Sequence, residues 1–234
     1  MIEILFATNA EEFKKALTTI DIHVPARSDG RKKEQTERYD IAHLMASLPL
    51  EEMSYPLTIN KQERPDFVLT MANRSIGIEV TEAVPENHVR ASIFRQKGQG
   101  PKVHFLQKHG IGDQRVCKSA ILSEIMHDKA GAIWRGNEVE IQWKEVMLHF
   151  IKRKVERLNQ RGFTRFKENW LLIYNNWPLP GVHHEEGCSL LTNSCVADGL
   201  LDDFIRIFIL DSKFLCEISH RTRLHAFKSP TAGT

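Results

Sequence analysis

Asp66 and Glu79 lie in two short runs, Asp66–Thr70 and Ser75–Thr81, with Ala72-Asn73 between them. Runs of this length and composition, joined by a short polar turn, predict a β-hairpin. Side chains alternate across a strand, so Ile76, Ile78 and Val80 face one way and Gly77, Glu79 and Thr81 the other. A turn centred on Ala72-Asn73 pairs Thr70 with Ser75, Val68 with Gly77 and Asp66 with Glu79. The two carboxylates then stand opposite each other at about 5 Å, a repulsive arrangement. It persists if the pair shares a proton, if a basic side chain neutralises it, or if a cation bridges it. Hard oxygen ligands suit Mg²⁺ or Mn²⁺. Gly77 reads as open space beside the acids, available to a substrate backbone. The plainer alternative is a solvated face on which Arg64 and Arg74 balance the charges.

The elements that must hold this hairpin are legible on both sides of it. A helix is expected over Lys32–Leu48, with Ile41, Leu44, Met45 and Leu48 as its buried stripe and Pro49 as its stop. A short strand at Pro56–Asn60 follows. A long helix over Glu138–Gln160, closed by Gly162, buries Trp143, Met147, Phe150, Ile151, Val155 and Leu158. Trp170–Tyr174 and Phe204–Leu210 suit buried central strands, and Ser189–Leu201 holds a helix crossing between them. The order implies an α/β fold, a mixed central sheet with helices on both faces, in one domain spanning 1–234. Residues 1–30 form an N-terminal extension with a helix at Ala10–Leu17, and Lys228–Thr234 a frayed tail. Residues 85–136 read as an irregular, glycine-punctuated insertion with a helix near Lys118–His127. Between Glu86 and Lys118 this insertion carries seven Lys/Arg against two acids, Glu86 and Asp113.

The run Arg64-Pro65-Asp66-Phe67 followed by Ile76-Gly77-Ile78-Glu79-Val80-Thr81-Glu82-Ala83 resembles the core motif of the PD-(D/E)xK nuclease superfamily, the restriction-endonuclease-like fold. The order helix, hairpin, helix, strand, helix, strand is similar to that family's core over residues 32 to 211. The resemblance implies a Mg²⁺- or Mn²⁺-dependent nuclease in which Asp66, Glu79 and the Val80 carbonyl hold the cation. Where the family has its lysine this chain has Thr81, which offers a hydroxyl but neither charge nor a useful base near neutral pH. Some members take the lysine from a neighbouring helix. Lys154 falls inside the apolar stripe of the Glu138–Gln160 helix, where an ammonium is costly unless it is paired or reaches solvent, and a carboxylate cluster on the adjoining sheet would pair it. Snorkelling to water is the ordinary outcome for such a lysine. Lys144, four residues after Glu140, is the second candidate, with an exposed i,i+4 pair as its simplest role. A glutamate from the leading helix completes the metal site in many members. Glu37, on the extension of the Ile41–Leu44 stripe, is the closer match and Glu34 lies a turn further out. A solvated helix-start acid is the alternative.

With 41% hydrophobic and 26% charged residues the 234-residue chain is ordinary for a globular protein, and its net charge of +2 does not by itself point to nucleic acid. The local excess in the insertion does, and Arg90, Arg95, Lys97 and Lys102 are its expected backbone contacts, to DNA before RNA. No run is long and apolar enough for a membrane span, and the acidic start of the chain is unlike a secretory signal, which places the protein in the cytoplasm. A homodimer is an allowed assembly. In a reducing compartment the four cysteines are read as free thiols. His183, His184, Cys188 and Cys195 lack the paired spacing of a structural zinc site, so that stretch reads as a solvated loop. No P-loop, dinucleotide fingerprint, zinc-binding helix or nucleophile elbow is present. Beside the metal-dependent nuclease stands a degenerate nuclease fold that binds nucleic acid or a protein partner. An enzyme of small-molecule chemistry has no positive support, and a deep apolar pocket away from the hairpin would be needed to revive it.

Overall fold

A computed structural model describes residues 1–231. Its centre is an eight-stranded sheet in which spatial order follows chain order. The strands are β1 (Ile2–Ala7), β2 (Leu57–Lys61), β3 (Phe67–Met71), β4 (Arg74–Ala83), β5 (Glu168–Asn175), β6 (Arg206–Leu210), β7 (Phe214–Ile218) and β8 (Arg223–Ala226). β1 to β4 and β6 to β8 pair antiparallel, whereas β4–β5 and β5–β6 pair parallel, so the sheet is mixed. The parallel pairs need crossovers, and helices supply them.

Helices α1 (Ala10–Thr19) and α2 (Lys33–Ser47) cover one face. Phe13, Leu17, Ile41, Leu44 and Met45 pack there on Leu69, Ile76, Ile78, Trp170 and Phe208. Helices α5 (Glu138–Leu158) and α6 (His184–Ala197) cover the other, packing Trp143, Met147, Ile151, Leu191 and Cys195 on Leu171, Ile173, Ile207 and Ile209. This two-sided burial explains why β5 and β6 read as continuous apolar runs. Two further helices, α3 (Glu86–Gln96) and α4 (Lys118–His127), lie in the long connection from β4 to α5.

Several elements differ from the sequence expectation. β1 is a strand inside the supposed extension. It is an edge strand with a register shift between Glu3 and Leu5, and Ile2 and Phe6 face solvent, so no clean alternation marks it. The insertion begins with α3, not with irregular chain; α3 has no fully buried residue and therefore no apolar stripe to read. His184–Glu186 form the first turn of α6, where Glu185 and Glu186 suit the helix N-terminus. The cysteines are not all free: Cys188 of α6 is joined to Cys216 of β7, while Cys117 and Cys195 stay unpaired. The packing of α6 on the sheet makes that pair, and sequence spacing carries no sign of it. At the start of the expected tail the Lys228 N–H donates to Ser47 Oγ at 3.1 Å and Pro230 is buried. The remainder of the expected tail lies outside the described residues. No helix among the described residues is long and apolar enough to cross a membrane.

Candidate functional site

The β3–β4 hairpin has the expected register, with Thr70 opposite Ser75 and Val68 opposite Gly77, and it ends at Phe67 opposite Ile78. β4 continues to Ala83 beside β5, so from Glu79 onward its other edge has no strand neighbour. The N–H and C=O of one strand residue point the same way, and those of Val80 point into this gap. Buried backbone groups need partners. The Val80 N–H donates to Asp66 Oδ2 at 2.9 Å, and its carbonyl accepts from Lys154 Nζ at 2.7 Å.

Lys154 reaches the gap from α5, the helix over the face that carries Glu79. Its ammonium donates to Glu79 Oε2 at 2.7 Å and lies 3.9 Å from Asp66 Oδ2. Asp66, Glu79 and Lys154 are 4%, 5% and 7% exposed, so this is a buried ion cluster and the lysine does not snorkel. Burial pushes Asp66 upward, but the Lys154 charge, the Val80 N–H and Lys33 outweigh it and hold the carboxyl below its ordinary range. Glu79 moves the other way: burial raises it, Lys154 only partly opposes this, and the Asp66 charge adds to the rise. Adjacent carboxyls pushed apart in this way favour one ionised and one more readily protonated group.

Glu37, on α2, reaches the pair through a lysine. Lys33 Nζ stands 2.6 Å from Glu37 Oε1 and 3.1 Å from Asp66 Oδ1. The other Glu37 oxygen pairs with Lys61. Lys33 and Lys61 escaped the sequence reading, although Lys33 stands one helical turn before Glu37, a spacing that itself signals a pair. The charges are not balanced by Arg74, which pairs with Glu168. Lys144 approaches Glu145 at 3.7 Å, while Glu140 accepts the His183 N–H instead of an i,i+4 lysine. Gly77 does not leave open space. A Cβ there would meet Phe166 Cδ2 at 2.8 Å, Pro65 Cγ at 3.0 Å and Asn169 Oδ1 at 3.1 Å.

Two clefts flank the acidic pair. One, of about 70 Å³, is walled by Arg64, Arg157, Arg161 and Phe163 and opens on Asp66, Glu79 and Lys154. The other, of about 310 Å³, is walled by Arg27, Arg31, Lys32, Thr36 and Thr81, and shares Lys33, Lys154 and Arg157 with the first. Arg64, Arg157 and Arg161 make no ion pair among the described residues. Thr81 shares the Glu79 face of β4. Arg90, Arg95, Lys97 and Lys102 line neither cleft. Arg90 binds the Val116 carbonyl, and Arg95 lines a separate small cavity with His88, His104 and His109. A wider cleft of about 790 Å³ lies over α1 and the end of α2. It is a surface groove above core residues such as Phe13, Met45 and Leu48, not a deep apolar pocket.

Among the described residues, no three His, Cys, Asp or Glu side chains gather as metal ligands. The oxygen donors at the gap are therefore two carboxylates and one backbone carbonyl. All are hard ligands, and Glu79 and Val80 already converge on one cationic nitrogen. Mg²⁺ is commonly held by one or two carboxylates with water completing its shell, so the donor set fits a hard divalent cation. No known family model matches this chain, and no curated protein or solved structure matches it either.

Proposed function

We propose that this chain is a metal-dependent nuclease of restriction-endonuclease-like build, hydrolysing phosphodiester bonds of nucleic acid, DNA before RNA. The observation that carries this reading is the Lys154 ammonium, delivered from α5 to the Asp66–Glu79 pair and the Val80 carbonyl. A lysine reaching the acids from a second element supplies the charge that Thr81 lacks. Asp66, Glu79 and the Val80 carbonyl would hold Mg²⁺ or Mn²⁺, with Glu37 behind them through Lys33. Such a cation supplies a more acidic water and charge compensation on the scissile phosphate. Lys154, which donates to Glu79 and to the Val80 carbonyl, would supply positive charge for the phosphate oxygens. Arg64, Arg157 and Arg161, at the mouth of the smaller cleft, hold the flanking backbone.

The purified protein is to be assayed with Mg²⁺ or Mn²⁺ on single- and double-stranded DNA and RNA. Cleavage that disappears in Asp66→Ala and in Glu79→Ala supports the reading. Absence of cleavage, or cleavage that both variants retain, removes it. A second reading rests on the same ammonium: an acidic pair already neutralised by Lys154 suits a degenerate nuclease fold that binds without cutting. It expects salt-dependent binding that survives Glu79→Ala.

A further inference from the structure

The larger cleft beside the acidic pair has chemistry of its own. Arg27 is committed to Glu82. Arg31 gives its Nε–H to the Pro25 carbonyl at 3.0 Å, which orients the guanidinium, and among the described residues its two amino ends make no hydrogen bond. Among the described residues, neither Arg31, Lys32 nor Arg157 has a carboxylate within ion-pair distance. Burial first, and then the adjacent Arg27 charge, push Arg31 downward, while the Glu82 and Asp40 carboxyls oppose this. Asp40, only 3% exposed, lines the same cleft. Burial, and after it the Glu82 and Glu37 charges, push its carboxyl well up, while the Arg31 charge opposes the rise. The two other acids of the cleft are both engaged, Glu82 by Arg27 and by Asn176 Nδ2 at 2.6 Å, and Glu37 by Lys33 and Lys61.

We propose that this cleft is a phosphate subsite in which Arg31 and Lys32, with Arg157 at the shared edge, take a phosphate group adjoining the one processed at Asp66 and Glu79. The nucleic-acid identity of the ligand rests on the nuclease reading; the anion chemistry of the cleft does not. The ligand is either an internal backbone phosphate or the terminal phosphate of a strand.

The test is binding of fluorescent oligonucleotides in EDTA, followed by anisotropy across a salt series, with 5′-phosphorylated and 5′-hydroxyl strands. Arg31→Gln with Lys32→Gln weakens binding about tenfold or more, and the salt slope falls by about one for each cation removed. Lys32→Gln alone, at an exposed position, gives a share of this effect without threatening the fold. Lys15→Gln with Lys213→Gln, which line neither cleft, leaves affinity and slope unchanged. A loss confined to 5′-phosphorylated strands assigns the terminal phosphate, and an equal loss on both assigns the internal one. An unchanged slope in the Arg31/Lys32 variant, or an equal loss in the Lys15/Lys213 control, overturns the subsite. Because this assay contains no metal, the two readings separate: the expected slope change in the Arg31/Lys32 variant, with no cleavage by wild type in the Mg²⁺ or Mn²⁺ assay, sinks the nuclease reading alone. Cleavage by wild type in that assay, with no slope change in the Arg31/Lys32 variant, sinks the subsite alone.

Discussion

The hairpin–α5 junction and the segment from Glu86 to Gly136 are both rich in charge, but they hold it in opposite ways. At the junction Glu37, Asp66, Glu79 and Lys154 are all buried, and each is engaged by an opposite charge. In the segment Lys97, Lys102, Lys118 and Arg115 are exposed, and α3 buries no residue fully. Taking a charge out of water is costly, so a buried ion must be met by its partner. An exposed one need be met by nothing but solvent. A lysine inside an apolar stripe therefore says where something else must be, whereas a count of surface lysines says little about where a ligand goes. The unpaired cations nearest the acids come from α5 and its end (Arg157, Arg161), the loop before β3 (Arg64) and the turn before α2 (Arg31, Lys32), not from the segment with the greatest charge excess.

The most forceful way to break this contrast is Lys154→Met. Removing one partner from a buried cluster leaves the others uncompensated, at a cost of about 3–5 kcal/mol. Urea unfolding of the metal-free protein measures it. In the double variant Lys154→Met/Glu79→Gln most of that loss returns, because one stranded charge has gone too. Divalent cations should also raise the melting temperature of Lys154→Met more than that of wild type, where the ammonium competes for the same oxygens. A Lys154→Met protein as stable as wild type would mean that the cluster is hydrated and the comparison false. Gly77→Ala comes next: with Phe166, Pro65 and Asn169 all within 3.1 Å of the added carbon, the overpacked strand loses about 1–3 kcal/mol. A neutral result would restore the open space that the sequence suggested.

That reversal at Gly77 marks the limit of what the sequence could show. Alternation gave the hairpin register from Met71–Arg74 to Phe67–Ile78, because strand period is a local property; Asp66 lies just before β3 and meets the site by accepting the Val80 N–H, not as the ladder partner of Glu79. The misplaced lysine in α5 was visible for a similar reason, as polarity interrupting a helical stripe. Phe166, by contrast, comes from the loop before β5 and fills the space over Gly77 only through the tertiary fold. Lys61 is likewise brought to Glu37 by the β2–β3 pairing, and Cys188 meets Cys216 across a helix–sheet interface. β7 and β8 are a short meander with one strand mostly exposed, too polar at its edge to announce itself. Local periodicity was legible; non-local filling was not.

A smaller effect distinguishes the two carboxyls of the pair. The folded-state value of Asp66 lies below the ordinary 3.8, so the stability it contributes is present above that pH and is lost as pH falls through the depressed value. Glu79 lies above the ordinary 4.5, so in that interval the folded chain binds more protons than the unfolded one and loses stability as pH rises. Asp66→Asn should flatten the acid limb of the stability curve, and Glu79→Gln the decline above 4.5. Each change is at most about 1.4 kcal/mol per pH unit. Urea midpoints taken in EDTA across the acid range measure both, and equal responses from the two variants would show that their environments do not differ.

The least effect is expected from Lys97→Ala with Lys102→Ala. Both side chains are exposed, neither makes an ion pair among the described residues, and neither lines a cleft beside the acids. Surface substitutions of this kind stay within about 0.5 kcal/mol, and unfolding midpoints should be indistinguishable from wild type. The same double variant, titrated with oligonucleotide beside Arg31→Gln/Lys32→Gln, turns the regional contrast into a measurement. If the Arg31 and Lys32 positions govern the salt slope while Lys97 and Lys102 do not, the strand follows the clefts at the hairpin. If the insertion cations govern it, the segment is the nucleic-acid arm after all, and the positive charge around the acidic pair serves only to hold that pair together.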